Sequence, residues 1–253
     1  MKIKTKTSVL LTLLFLIFSA CSTDEEIAPD DRPLGVSASS FLSDEDFTSL
    51  KVEIVYVTGY EPSKTVLSTV QAFLQKYLNK PGGVTIQTRA IPSPGVGTYS
   101  LAEVKEVENN NRTAFTSGSK LTAFIFIADN KSDSSTQKDL VLGKAYKNTS
   151  LVIFDKEIRE LSANSGVSSS EIEHTTIRHE FGHLFGLVNN GSPAQSPHED
   201  PDPDHKAHCD VDGCLMSASL EFGTSTLNAL KVQSQSMELD DKCHQDLIAN
   251  GGK

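Results

Sequence analysis

Residues 177–193 read IRHEFGHLFGLVNNGSP, in which two histidines stand four apart and a glutamate follows the first directly. Positions i and i+4 share one face of an α-helix, so His179 and His183 can aim two imidazoles at one tetrahedral metal ion while Glu180 projects beside it. This limits what the chain can fold into. The segment has to be a helix whose apolar members, Ile177, Phe181, Leu184, Phe185 and Leu187, are packed, and whose polar trio opens on a cleft. We read residues 169–188 as that helix, with Ser169 or Ser170 as N-cap, Glu171 and Glu173 near its positive end, and Gly186 where it can stop and turn back. The plainer reading is a solvated polar face of an amphipathic helix, and the apolar flanks weigh against it. A carboxylate next to a zinc-bound water can accept its proton, deliver the oxygen to a carbonyl carbon and protonate the departing amine. That chemistry makes Glu180 the candidate general base.

HEFGHLFG resembles the first part of the metzincin zinc-protease signature H-E-x-x-H-x-x-G-x-x-H. The chain departs from it at the third ligand, where Asn189 offers an amide oxygen, a poor zinc donor beside imidazole. Farther on, HCDVDGCLM (208–216) resembles the archaemetzincin continuation, in which the third histidine is followed at once by Cys, then by four residues, Cys, one residue and Met. The resemblance implies His208 as third zinc ligand after a 19-residue insertion, Asn189–Ala207, and Met216 as the methionine of the turn beneath the metal. It covers 177–216 closely and the preceding strand and helix order only loosely. The fold it implies is an α+β, zincin-like one: a twisted mixed β-sheet packed on the active-site helix, with a loop-rich C-terminal part. An edge strand around 143–154 would then pair with an extended peptide. CLMSAS holds no tyrosine to stabilise an oxyanion, so that donor stays unassigned.

Alternatives stand beside this reading. Glu199 or a neighbouring aspartate could replace His208 as third ligand, and His198 and His205 share its loop. Cys209, Cys214 and Cys243 fit either one disulfide with one thiol over or a second, structural zinc. For the zinc, Asp246 stands where a final C-x-x-C would end, with His244 nearby. The acidic run HEDPDPD (198–204) reads as a solvated loop, since it lacks the glycine of a calcium loop.

Elsewhere, KVEIVYVTGY (51–60) alternates as a strand does and SKTVLSTVQAFLQKYLNK (63–80) repeats as a helix. GGVTIQTRAI (82–91) reads as a strand, SLAEVKEVENNNR (100–112) as a helix, LTAFIFIAD (121–129) as a buried strand, and 149–162 as a strand running into a helix. Residues 189–214 have loop composition, and 238–252 carry one more helical pattern.

The chain begins MKIKTKTSVLLTLLFLIFSAC, a basic stretch and then an apolar one too short for a comfortable membrane span, which reads as a signal peptide over 1–21. FSAC resembles the bacterial lipobox, which implies acylation of Cys21. STDEE after it resembles the surface-export signals of some Bacteroidetes lipoproteins, though a solvated linker explains it equally well. Polar, proline-containing residues 22–45 read as a flexible linker and 46–253 as one peptidase domain. The 253 residues carry 23 basic and 33 acidic side chains, a net −10; loss of Lys2, Lys4 and Lys6 with the leader leaves 20 bases and −13. That balance argues against a nucleic-acid partner. The expectation is a monomeric, lipid-anchored zinc endopeptidase of the cell envelope, with protein or peptide as substrate. The competing class is a binding lipoprotein that keeps a zincin scaffold to recognise glycans or host proteins without proteolysis.

Overall fold

The computed structural model describes residues 28–220 and 237–253 apart from Ser37 and Lys138. The apolar leader and Cys21 lie outside the described residues, among which no helix is long and apolar enough to cross a membrane.

A short helix α1 (Ala38–Leu42) precedes β1 (Ser49–Val57), α2 (Lys64–Tyr77), β2 (Val84–Ile91), β3 (Thr98–Tyr99) and α3 (Leu101–Asn111). Then come β4 (Lys120–Ala128), β5 (Lys131–Ser132), β6 (Gly143–Lys147), β7 (Ser150–Phe154), α4 (Asp155–Ser165), α5 (Ser169–Leu184) and α6 (Asp241–Ala249). The main sheet has the order β2-β1-β4-β7-β6. Its first four strands are parallel, and β6 pairs antiparallel with β7 at the edge. β3 and β5 form a small separate parallel pair.

Side-chain alternation builds two cores. Leu121, Ala123, Ile125 and Ile127 of β4 join Leu50, Val52 and Ile54 of β1 in the core that α2, α4 and α5 cover. Phe124, Phe126 and Ala128 point the other way and meet Val104 and Val107 of α3. A strand buried on both faces reads as an unbroken apolar run, which is why LTAFIFIA shows no polar alternation. Serines set the helix starts: Ser63 caps α2, and Ser100 forms a reciprocal capping box with Glu103 on α3. Helix α5 is capped by Ser168, one residue before the expected pair, and stops at Leu184 rather than Val188.

The strand expected in 149–162 is β7, which runs into α4, and its hairpin partner β6 is the sheet edge expected around 143–154. One expectation changes here. The segment 22–45 is not a free tether over its described part. Asp30 is buried in an ion pair with Arg112 at 2.8 Å, and Phe41 and Leu42 are buried in the main core. Two large apolar residues and one charged anchor suffice to fix a stretch whose average composition is polar.

Candidate metal and catalytic site

Helix α5 carries His179 and His183 one turn apart, and their Nε2 atoms lie 3.2 Å from each other. His208 comes from the far end of the insertion, with its Nε2 3.3 Å from that of His179. Two nitrogens on one tetrahedral zinc at about 2.0–2.1 Å each are about 3.3 Å apart, so the spacing is that of a shared ion rather than of hydrogen bonds. The three imidazoles are one of two groups among the described residues able to hold a metal. The Nδ1 of His179 lies 2.7 Å from the Leu215 carbonyl, which can only accept, so Nδ1 carries the proton and Nε2 keeps its lone pair. Burial and the adjacent His208 push His179 down to about 3, and burial and the other two rings hold His183 well below its usual value. Neutral imidazoles are the form a metal takes.

The insertion reaches the site by folding on itself. Asp200 N–H donates to the His208 carbonyl and Asp210 N–H to that of His198, both at 2.8 Å, so residues 198–200 and 208–210 run side by side. Asn189 accepts from Ala194 N–H and donates to Glu199, whose other oxygen accepts from Ala207 N–H. Glu199 is thereby a brace of the loop. His205 pairs with Asp200, and His198 is buried against Asp246 at 3.3 Å. None of these stands with the two helix histidines.

Beneath them runs the turn holding Met216, which is fully buried. Gly182, inside the HEFGH run, makes room for it: a methyl there would collide with the Met216 sulfur. Glu180 is buried beside the histidines, and one carboxylate oxygen accepts from the Ala145 N–H of β6 at 2.6 Å. The other lies over Gly143, where an added Cβ would come within 3.0 Å of it. The edge strand therefore orients the candidate base. A cleft of about 250 Å³ opens between β6 and the insertion, with Glu180, His183 and His208 on its floor.

The second group is Cys209, Cys214, Cys243 and Asp240. Cys214 and Cys243 sulfurs are 3.6 Å apart, beyond the roughly 2.05 Å of a disulfide, and all three described cysteines are free thiols. Asp240 Oδ1 lies 3.3 Å from Cys214 Sγ and 3.8 Å from Cys209 Sγ. Hydrogen bonds from Cys214 and Cys243 pull Cys209 down to about 4, which readies one thiolate. The fourth member is thus Asp240, three residues before Cys243, and neither Asp246 nor His244. Asp246 accepts from Gln195 N–H and faces His198, while His244 contacts the Lys253 carbonyl. The sequence signal for Asp240 is its D-x-x-C spacing to Cys243.

No protein-family model and no curated protein matches the chain. Among solved structures, archaemetzincin from Methanopyrus kandleri superposes with a TM-score of 0.53 over 80% of this chain and 96% of its own, at 15% identity. The fold is the archaemetzincin-like zincin fold. A zinc-dependent peptidase from Methanocorpusculum labreanum matches at TM-score 0.46 and 16% identity, over 78% of this chain and 99% of its own. Metalloproteinase-II from Bacteroides fragilis gives 0.45 and 14%, over 89% and 57%.

Proposed function

We propose that the protein is a zinc-dependent endopeptidase, anchored at the bacterial cell envelope by lipid on Cys21. The observation that carries the activity is the convergence of His179, His183 and His208 on one point, with Glu180 oriented beside it. Zinc held there would supply the positive charge that polarises a substrate carbonyl and acidifies a water. Glu180 is placed to take a proton from an attacking water as the water's oxygen bonds to the carbonyl carbon, and to return it to the amine nitrogen as the C–N bond breaks. The Ala145 amide keeps the Glu180 carboxylate turned toward the cleft during both transfers. Strand β6, paired in the sheet with β7 alone among the described residues, leaves its other edge for an extended peptide. The Cys209–Cys214–Asp240–Cys243 group would hold a second, structural zinc. Since Cys209 follows His208 directly, that ion would also fix the third catalytic ligand.

Glu180→Gln is expected to keep fold and zinc while losing about 10²–10⁴-fold in peptide hydrolysis. Undiminished cleavage by this variant, measured on a broad peptide library, would remove Glu180 from the mechanism. A binding protein would have no use for a base held in this way. For the anchor, Cys21→Ser should release the domain from the membrane fraction, and continued membrane association would contradict lipidation as the tether.

A further inference from the structure

We infer that the N-terminal arm, residues 28–35, is a fixed wall of the peptide cleft, and that Leu34 selects the substrate side chain held beside the scissile bond. The inference rests on the peptidase reading above. Leu34 lines the cleft that holds Glu180, His183 and His208, and among the described residues it is the one large apolar side chain to do so; the other wall positions include Lys144, Asn190 and Lys206. It also packs on the main core, so it is a held surface rather than a loose end.

The arm is fixed on both sides of Leu34. Upstream, Asp30 accepts from Arg112 and from Thr116 N–H at 2.8 Å each, and from Thr149 at 3.2 Å. The Arg32 carbonyl then accepts from Asn148 N–H at 3.0 Å, just past the end of β6. Downstream, Gly35 crosses Gly191 of the insertion so closely that a Cβ on either would strike the other segment's backbone. Phe41 follows, packing edge-on against Phe181 at 6.4 Å and tilted against Phe185 at 5.8 Å. The arm therefore joins the edge strand, the insertion and the catalytic helix, the three elements that frame the cleft. A cleft of about 250 Å³ remains between Leu34 and the other lining residues, so the arm acts as a wall and not as a plug. An apolar wall in an otherwise polar cleft favours an aliphatic side chain of matching size.

The test uses the zinc-loaded chain and three peptide hydroxamates, alike except for a methyl, isobutyl or benzyl side chain, titrated by calorimetry. Trimming the wall with Leu34→Ala should move the benzyl-to-isobutyl affinity ratio by about tenfold toward benzyl, the scale on which apolar pockets discriminate. Leu34→Val should move it the same way by less, and serves if the alanine variant folds poorly. Val36→Ala, at a position 64% exposed and outside the cleft lining, should leave the ratio unchanged. In cleavage assays the Leu34 variants should change KM for matched substrates with kcat nearly constant. Parent protein that binds hydroxamates, with a ratio unmoved in both Leu34 variants, overturns the wall and leaves the peptidase reading in place. Parent protein that binds none of the three overturns the peptidase reading and the wall with it.

Discussion

Gly182 shows how much a single residue carries in this site. It lies between the two helix histidines and faces the Met216 sulfur, while the neighbouring Leu215 carbonyl fixes the tautomer of His179. Gly182→Ala should push the Met216 turn away from α5, cost about 1–3 kcal/mol as an overpacked core does, and weaken zinc. A melting curve and a chelator competition measure the two effects; unchanged values for both would show that the turn yields without strain. Asp240 makes the corresponding case at the second group. Metal analysis of the purified chain is expected to give two zinc ions per molecule, and Asp240→Ala to lower the content toward one. Retention of both ions would take Asp240 out of the ligand set.

Helix α5 is more than a carrier of ligands, because its first half is buried around charged groups. Glu173 sits there with its carboxyl pushed up to about 8 by burial and by Asp155, against the lowering influence of Arg159. An unfolded glutamate titrates near 4.3, so between about 4.3 and 8 the folded chain keeps a proton that the unfolded chain has released. Stability contributed by this helix therefore falls as pH rises through that window and is level above it. Glu173→Gln, which keeps the shape and cannot ionise, should melt at a more constant temperature from pH 5 to 8 and above the parent at pH 8. An equally steep decline in the variant would place the pH dependence elsewhere. The β6–β7 hairpin is the other element with two duties: one arm closes the sheet while its Ala145 amide steers Glu180.

At the scale of the molecule, the site is assembled from four distant stretches: the arm, the edge hairpin, α5 and the end of the insertion. Closing a flexible 19-residue insertion costs about 2–3 kcal/mol, and the Asp200–His208 and Asp210–His198 backbone pairs offset part of it. Asp30 secures the arm through a buried ion pair with Arg112, which Glu108 shares at 2.8 Å. Asp30→Ala leaves Arg112 with half its compensation, and a loss of about 3 kcal/mol is expected, at the low end for a broken buried pair. Denaturant unfolding reads this directly. A change under about 0.5 kcal/mol, ordinary for a surface substitution, would mean that the arm is not anchored there.

What the sequence determined by itself was whatever periodicity and adjacency encode. The i, i+4 histidines dictate a shared helix face, the alternation of β1 and the unbroken apolar run of β4 mark strands, and helical periodicity marks α2 and α3. The place of His208 beside the helix histidines was legible only through the resemblance of its spacing to Cys209, Cys214 and Met216 to that of archaemetzincins, a pattern that survives an insertion because it lies wholly after it. Tertiary structure alone decided the rest. Asp240 rather than Asp246 faces the thiols because α6 begins at Asp241 and turns Asp246 toward His198. Residues 22–45 have the composition of a linker because their polar average hides one buried aspartate and two core residues; the partner of Asp30 lies 82 positions away at Arg112, and those of Phe41 lie more than a hundred away at Phe181 and Phe185. Local patterns cannot report such contacts, since the burial that makes them favourable exists only when the distant segments meet.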